Sequence, residues 1–229
     1  MLIKDDFFLT IIEQLFRLGT IAYPYERIIC DEYEGLIEDI VSKASVDPNS
    51  SFIQVSGIPG AGKSTFCNKN YSKSTLVQFD DIMAKIPQYQ KDCVRLGLVQ
   101  SFSKWEMPAR VIGYEVIHRL IDKKASFVLE HSGMNLAHIK LIDVLKKQGY
   151  KTQMQFLFCT LEEACRRAQE REKKISRHTP LELIKERSEA ILEYLSQYKE
   201  KMDEAFIWDL TDPQNWFLKE HWSAGEQVK

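Results

Sequence analysis

The chain has 229 residues, of which 44% are hydrophobic and 28% are charged, so it is long and apolar enough to bury a core of its own. This composition excludes a wholly disordered chain, and the formal net charge of −2 excludes the strong basic excess of a general nucleic-acid binder. The charge is unevenly distributed. Residues 1–50 carry ten acidic side chains against four basic ones, whereas residues 51–229 carry 27 basic against 23 acidic.

The start of the chain lacks the pattern of a secretory signal. Met1–Lys4 is followed directly by Asp5 and Asp6, and the longest apolar stretches are far shorter than the ~20 residues of a membrane span. The five cysteines form no Cys-x-x-Cys pair, which argues against a disulfide framework and a structural zinc site. We therefore expect a cytoplasmic protein, although secretion without a cleaved signal would leave the same sequence.

The first fifty residues predict helices. Apolar residues recur at helical spacing over 7–18, and a second helix is predicted over 25–42. Turn-forming residues at 47–51 then separate an N-terminal helical extension, residues 1–50, from the main domain, residues 51–229.

Beyond this boundary, short apolar runs alternate with long helical patterns. Strands are predicted at 52–56, 76–79, 127–130, 154–158 and 206–208, and helices at 109–123, 136–148, 161–172 and 181–204. This alternation predicts an α/β protein with the P-loop kinase fold: a doubly wound, mostly parallel sheet of about five strands with helices on both faces.

A phosphate-binding motif follows the first predicted strand. Residues 57–64 read Gly-Ile-Pro-Gly-Ala-Gly-Lys-Ser, which matches G-x-x-x-x-G-K-[ST] between a strand and a helix. The glycines let backbone N–H groups point at a phosphate, Lys63 would reach the β- and γ-phosphates, and Ser64 would ligate Mg²⁺. The motif predicts a site for ATP or GTP formed by Gly57, Pro59, Gly60, Ala61, Gly62, Lys63, Ser64 and Thr65.

Two aspartates follow the second predicted strand. Asp80 and Asp81 stand where the strands of a parallel sheet open onto the ligand crevice. A carboxylate there would accept the proton of an attacking hydroxyl group or hold Mg²⁺ through water. The alternative is structural, because an aspartate just before Ile82 also favours the start of a helix.

The third predicted strand ends in Glu130, His131 and Ser132. If this strand neighbours the phosphate-loop strand, Glu130 lies near the transferred phosphoryl group. His131, with an ordinary pKa near ~6.5, would serve as a base or, alternatively, as a packing or hydrogen-bonding residue.

A basic cluster lies further along the chain. Residues 166–177, which include Arg171 and Arg177, hold six basic side chains against two acidic ones. Guanidinium groups suit the charged oxygens of a phosphoryl group in transfer, and an arginine-rich helix followed by a loop is typical of the lid of a small kinase. The alternative is a solvated helix face.

The order of these motifs is more specific than any one of them. It runs Gly-x-Pro-Gly-x-Gly-Lys-Ser, Phe79-Asp80-Asp81, Pro87-x-Tyr89, Glu130-x-Ser132-Gly133, Gly149-Tyr150 and Arg171…Arg177-x-x-Pro180. This order resembles the zeta-toxin family, P-loop kinases that phosphorylate UDP-N-acetylglucosamine in bacteria, over about residues 51–210.

The resemblance implies roles for single residues. The family's base aspartate precedes the proline of Pro-x-Tyr by seven residues, which points to Asp80, and the family's phosphate-clamping arginines match Arg171 and Arg177. The acceptor would be bound by Glu130, with Ser132, Tyr89, Arg110, His131 and Asp81. Met83 and Met134 stand where the family usually or often carries a basic residue.

The expected activity is therefore an Mg²⁺-dependent transfer of a γ-phosphate to a small-molecule hydroxyl group, with a nucleotide-sugar such as UDP-N-acetylglucosamine as acceptor. The alternatives are a kinase of a nucleotide, a dinucleotide cofactor or a polynucleotide 5′ end, and a non-catalytic ATP-binding regulatory protein. An antitoxin-like inhibitor is an expected partner, whereas a membrane or a long nucleic acid is not. The acidic residues 1–50 would either cover the basic nucleotide site or simply pack on the core.

Overall fold

The computed structural model describes residues 29–134, 136–172 and 179–229. The predicted helix at 7–18, the first residues of the helix at 25–42, and Arg177 lie outside the described residues.

A single twisted sheet organises the described chain. Its strands in spatial order are β2, β3, β1, β4, β5, β6 and β7. The first five of these are parallel to one another, and β6 and β7 add an antiparallel edge. The bounds are β1 Ser51–Ser56, β2 Leu76–Gln78, β3 Phe127–Glu130, β4 Lys151–Phe158, β5 Glu204–Asp209, β6 Phe217–Ser223 and β7 Glu226–Gln227.

Helices precede, connect and cover the strands. The bounds are α1 Glu34–Ser42, α2 Lys63–Asn70, α3 Phe79–Lys85, α4 Pro87–Leu96, α5 Leu98–Asp122, α6 Leu136–Lys147, α7 Leu161–Glu172 and α8 Leu181–Lys201. No helix among these described residues is long and apolar enough to cross a membrane.

The sheet is buried on both faces. Side chains alternate across a strand, so Phe127 and Leu129 join one apolar cluster while Val128 between them joins the other. The first cluster lies under α1, α5 and α6, and the second under α2 and α7. The predicted doubly wound, mostly parallel α/β fold is therefore confirmed, with its five predicted strands all present.

The fold differs from the sequence-based prediction at several points, since α4 was not predicted and the helix predicted over 181–204 ends at Lys201. The antiparallel strands β6 and β7 were not predicted, because the half-exposed Phe217–Ser223 mixes charged residues with apolar ones. The helix predicted to begin at Ala109 begins at Leu98 and includes Pro108. Proline is favoured in the first turn of a helix, where its missing N–H donor costs no hydrogen bond, and is unfavourable in a helix interior. The sequence therefore places the start of this helix next to Pro108.

Helix α1 is part of the main core. Ile37 is fully buried, and Tyr33 and Val41 join the same apolar cluster as α5. Arg119 of α5 also forms an ion pair with α1, in which its Nη1 lies 2.6 Å from a carboxylate oxygen of Glu34.

The strand order brings the predicted site elements to one edge. Because β3 lies between β2 and β1, Glu130 is in register with both Gln78 and Val55. The carboxyl ends of these three strands open onto the same side of the sheet, where ligands bind in open α/β proteins.

Candidate functional site

A cleft of about 770 Å³ lies at this edge of the sheet. Its walls come from the loop between β1 and α2, the first turn of α3, the start of α5, the loop after β3, and the facing parts of α7 and α8. It brings together most of the predicted site residues: Pro59, Gly60, Gly62, Lys63, Ser64, Thr65, Asp80, Asp81, Arg110, Glu130, His131, Ser132 and Arg171.

The loop between β1 and α2 has the backbone that a phosphate loop needs. Gly60 and Gly62 have φ values of +88° and +95°, which side chains other than glycine rarely adopt. Lys63 opens α2 and its Nζ donates hydrogen bonds to the carbonyl oxygens of Gly57, at 2.9 Å, and Ile58, at 3.1 Å. The ammonium group thus lies over the loop, next to the N-terminus of a helix, where anions are favoured.

Glu130 connects the phosphate loop to β2. Its Oε1 accepts a hydrogen bond from Ser64 Oγ at 2.9 Å, and its Oε2 accepts one from the side-chain amide of Gln78. The bond directs the hydroxyl proton of Ser64 toward the carboxylate and leaves the lone pairs of Ser64 Oγ available. A hydroxyl oxygen beside a carboxylate oxygen is a hard-oxygen set that suits Mg²⁺.

The two aspartates occupy the first turn of α3. Asp80 is half-buried and Asp81 is exposed, and both line the cleft. The N-cap of α3 is Gln78, so neither aspartate is the capping residue considered as the structural alternative.

Arg110 forms the opposite wall, between an acid and a histidine. Its Nη2 donates to Glu106 Oε1 at 2.7 Å, and its Nη1 lies 2.9 Å from His131 Nε2. The other ring nitrogen of His131 lies 3.1 Å from the backbone N–H of Gly133. Because arginine only donates, His131 accepts through Nε2 when this contact is a hydrogen bond.

His131 is a neutral residue in this setting. Burial, the stacked ring of His138 at 4.1 Å and the guanidinium of Arg110 hold the pKa of His131 well below its ordinary value. The ring therefore carries no charge at neutral pH, and its one accepting nitrogen takes a hydrogen bond from either Arg110 or the Gly133 N–H, depending on the tautomer. These contacts fit the hydrogen-bonding alternative for His131 better than the role of general base.

Helices α7 and α8 supply guanidinium groups on the remaining side. Arg171 lines the cleft and its Nη2 donates to Thr179 Oγ1 at 2.7 Å. Arg187 donates to the carbonyl oxygen of Met134 at 3.0 Å, and Tyr198 to that of Gly133 at 2.7 Å. Helix α8 therefore fixes the loop that follows β3.

Some predicted residues lie elsewhere. Gly57, Ala61 and Tyr89 are not among the residues that line the cleft. Tyr89 belongs to α4 and is buried in the first apolar cluster. Met134, at a position where the family often has arginine, is also buried.

The cleft also contains residues to which the sequence gave no role of their own, among them Gln78, Glu106, Arg187 and Arg167, the last predicted only as a member of the basic cluster 166–177. Spacing offered a partial signal for two of them, because Glu106 and Arg167 lie one helical turn before Arg110 and Arg171. Gln78 and Arg187 carried no such signal, since their contacts join segments far apart in the chain.

Comparisons with known proteins give a family and a fold. A family model described as Zeta toxin matches residues 38–215. No curated protein matches the sequence.

Solved structures match the fold at low sequence identity. A crystal structure of AvrRxo1-ORF1:AvrRxo1-ORF2 with sulphate ions has a TM-score of 0.67 at 13% identity, and the match covers 90% of this chain and 70% of that chain. One of the same pair with ATP has a TM-score of 0.62 at 12% identity, with the same coverages. One of the PezAT chromosomal toxin–antitoxin system of Streptococcus pneumoniae has a TM-score of 0.64 at 14% identity, covering 86% and 81%.

Proposed function

Because the chain belongs to the zeta-toxin family, whose model covers residues 38–215, we propose that it transfers the γ-phosphate of ATP to a hydroxyl group of a small molecule. The observation that carries this proposal is the meeting of a phosphate loop, the half-buried Asp80 and the Ser64–Glu130 pair in one cleft. A carboxylate in the same cleft as the phosphate loop supports transfer, because it could accept the proton of an attacking hydroxyl group.

The donor phosphates are held by the loop and the arginines. Backbone N–H groups of residues 57–64 bind the phosphates, and Lys63 leaves its carbonyl partners to reach the β- and γ-phosphates. Arg171, with Arg177 from outside the described residues, stabilises the negative charge that spreads over the transferred group.

Magnesium fits beside Ser64. Among the described residues no cluster of three or more His, Cys, Asp or Glu side chains is arranged to hold a metal ion, so the nucleotide's phosphates would supply much of its coordination. Ser64 Oγ would be the protein ligand, and Glu130 would orient that hydroxyl group. The ion, when bound, neutralises charge on the β- and γ-phosphate oxygens.

Asp80 is the general base. It lines the cleft in the first turn of α3 and would accept the proton of the acceptor hydroxyl group as that oxygen attacks the γ-phosphorus. The proton ends on the carboxylate of Asp80, and ADP leaves with its phosphates held by the loop and Lys63.

The acceptor would be a nucleotide-sugar of the UDP-N-acetylglucosamine type. The wall opposite the phosphate loop combines carboxylates, hydroxyls and guanidinium groups, which suit sugar hydroxyls and a diphosphate. Its described members are Asp81, Arg110, His131 and Ser132, and Glu130, which is bonded to Ser64 of the loop, would contact the acceptor from between the two sides. Tyr89 would act through packing.

A protein inhibitor would act at the same cleft. One structure of similar fold belongs to a chromosomal toxin–antitoxin system, and an antitoxin-like partner that covers the phosphate loop would block ATP. The protein would carry out this reaction in the cytoplasm, where ATP is available.

The acceptor is identified by incubating the protein with ATP, Mg²⁺ and UDP-N-acetylglucosamine and measuring products by mass spectrometry. We expect the nucleotide-sugar to gain the mass of one HPO₃ group. Parallel reactions contain nucleotides, dinucleotide cofactors or a 5′-hydroxyl oligonucleotide. A product only in one of these would replace the acceptor, and no product from any would contradict the proposed transfer.

A further inference from the structure

Four rings close into one cluster beside the cleft. Phe79 lies edge-on to His131, with ring centroids 5.4 Å apart, and His131 stacks on His138 at 4.1 Å. Tyr114 completes the cluster, since its ring centroid is 5.2 Å from that of Phe79 and its hydroxyl oxygen is 2.8 Å from His138 Nε2. We call these four residues the ring cluster.

The ring cluster connects two parts of the cleft that would act on the acceptor. Phe79 directly precedes Asp80, the proposed base, in the first turn of α3. His131 stands between Glu130 and Ser132, in the segment proposed to bind the acceptor. Contact between the rings of Phe79 and His131 therefore relates the position of the first turn of α3 to that of the segment after β3.

The other two rings support this contact from within the core. Tyr114 belongs to α5 and His138 to α6, and both side chains are fully buried. Burial, more than the charge of Arg110, lowers the pKa of His138 to about 3, and burial also holds the pKa of His131 well below its ordinary value. At neutral pH the members of the ring cluster therefore meet as uncharged rings.

Gly113 provides the space for Phe79. It is buried in the middle of α5, and a Cβ atom placed on it would be 2.4 Å from both Cδ1 and Cε1 of the Phe79 ring, closer than real Cβ atoms come to any neighbour. The φ of Gly113 is not positive, so its backbone conformation does not call for glycine. Glycine also destabilises a helix interior relative to alanine. The contact with Phe79 is thus the feature that requires glycine at this position.

We propose that Gly113 and Phe79 are positioning residues that fix Asp80 relative to the segment that binds the acceptor. The ring of Phe79 is seated on α5 at Gly113 and rests against His131. This inference rests on the proposed function, since it takes Asp80 as the base. None of the ring contacts described above involves the phosphate loop, so the affinity for ATP should not depend on them.

The test is Gly113→Ala. The added Cβ would push the Phe79 ring away from α5, and with it the first turn of α3, so we expect kcat to fall by about 10- to 100-fold. The dissociation constant of ATP with Mg²⁺, measured by calorimetry, should stay within about twofold of wild type. Phosphorylated product is measured by mass spectrometry with UDP-N-acetylglucosamine and with the nucleotide, dinucleotide and oligonucleotide acceptors described above.

Gly35→Ala is the matched control, because Gly35 also lies in a helix, α1, but has nothing within 4 Å of an added Cβ. It should leave kcat unchanged. A second comparison repeats Gly113→Ala in a Phe79→Val background, which lacks the ring atoms that would meet the added Cβ. There Gly113→Ala should lower kcat further by less than about twofold, because the two substitutions act through one contact.

Thermal unfolding of each variant distinguishes positioning from stability. A Gly113→Ala protein with a lower Tm but wild-type kcat well below that Tm would overturn the inference. An equal loss of kcat in the wild-type and Phe79→Val backgrounds, or a loss of ATP affinity as large as that of kcat, would overturn it as well.

Phe79→Leu replaces Gly113→Ala if the latter does not fold. It removes the ring from the contact with His131 without adding an atom to α5, and the same loss of kcat with unchanged ATP affinity is expected. Wild-type kcat in Phe79→Leu would then overturn the positioning role. A wild-type protein that forms no product from any acceptor would instead overturn the proposed function, and with it the role of Asp80 on which this inference rests.

Discussion

Glu130 links two sides of the cleft by hydrogen bonds. It contacts Ser64 of the phosphate loop and Gln78 at the end of β2, next to Asp80. A single carboxylate thus sets the direction of the Ser64 hydroxyl group and the position of the chain that carries the proposed base.

Glu130→Gln should impair the reaction without unfolding the protein. Loss of the charged acceptor weakens the bond from Ser64, so we expect kcat to fall by about 10- to 100-fold and the Mg²⁺ concentration for half-maximal rate to rise. Initial rates over a series of Mg²⁺ concentrations measure both effects. Glu182→Gln, which changes another carboxylate of the cleft, is the control, and an unaltered Mg²⁺ requirement in Glu130→Gln would refute this role.

Asp92 makes a pH-dependent contribution to stability. Its buried carboxylate accepts hydrogen bonds from Lys104 at 2.6 Å, Trp105 at 2.9 Å and Arg95 at 2.7 Å, and the first of these contributes most to holding its pKa well below the usual range. A depressed pKa in the folded state stabilises the protein above the ordinary carboxyl pKa. That stabilisation is lost as the pH falls toward the folded-state value.

Asp92→Asn should therefore lower the Tm at pH 7 by about 2–4 °C, because the charged acceptor between α4 and α5 is lost. The difference in Tm between wild type and variant should narrow as the pH falls below about 4. Thermal unfolding followed by circular dichroism across this range tests it. A difference that stayed constant with pH would show that the charge of Asp92 contributes nothing.

Among the contacts between elements, the one between α7 and the phosphate loop leaves no room for a side chain at Gly60. The two backbones approach so closely at Gly60 and Ala164 that no side chain fits between them. This packing fixes the distance between the arginines of α7 and the phosphates.

Gly60→Ala should weaken ATP binding, because the added Cβ would be 2.2 Å from the carbonyl oxygen of Ala164. Gly149→Ala is the matched control, since Gly149 has a similar φ of +82° against +88° but has nothing within 4 Å of an added Cβ. Both variants carry backbone strain of about 1 kcal/mol or more, but only Gly60→Ala displaces α7. We expect calorimetry to show ATP affinity near wild type in Gly149→Ala and at least about tenfold weaker in Gly60→Ala. Equal affinities would mean that the contact is not required.

The elements that the sequence predicts well are those with a regular local pattern of apolar residues. The five parallel strands and the phosphate loop are continuous local patterns, so the sequence predicts them well. Strand β6 was missed because its pattern is mixed, and the start of α5 because Pro108 imitates a helix start. The contacts of Arg167 depend on Leu210, 43 residues away, and no local pattern encodes that distance.

In the molecule as a whole, the change in charge near residue 50 does not coincide with a break in packing, since α1 shares an apolar cluster with α5. The acidic excess of residues 1–50 marks that segment as distinct, and the separate domains at 1–50 and 51–229 remain a prediction. Within the described residues, however, Ile37 and Val41 of α1 share their apolar cluster with α5. The acids Glu34 and Glu38 bind Arg119 on the outside of α5. The acidic charge of α1 thus serves at least in part to attach that helix to the core.

In the proposed function, one cleft both binds ATP and transfers its phosphoryl group through Asp80. The most direct measurement compares wild type with Asp80→Asn in two assays: ATP affinity by calorimetry, and phosphorylated product by mass spectrometry with UDP-N-acetylglucosamine and the alternative acceptors. We expect near-equal ATP affinity and a loss of product of at least about 100-fold in the variant. Wild-type turnover by Asp80→Asn would contradict it.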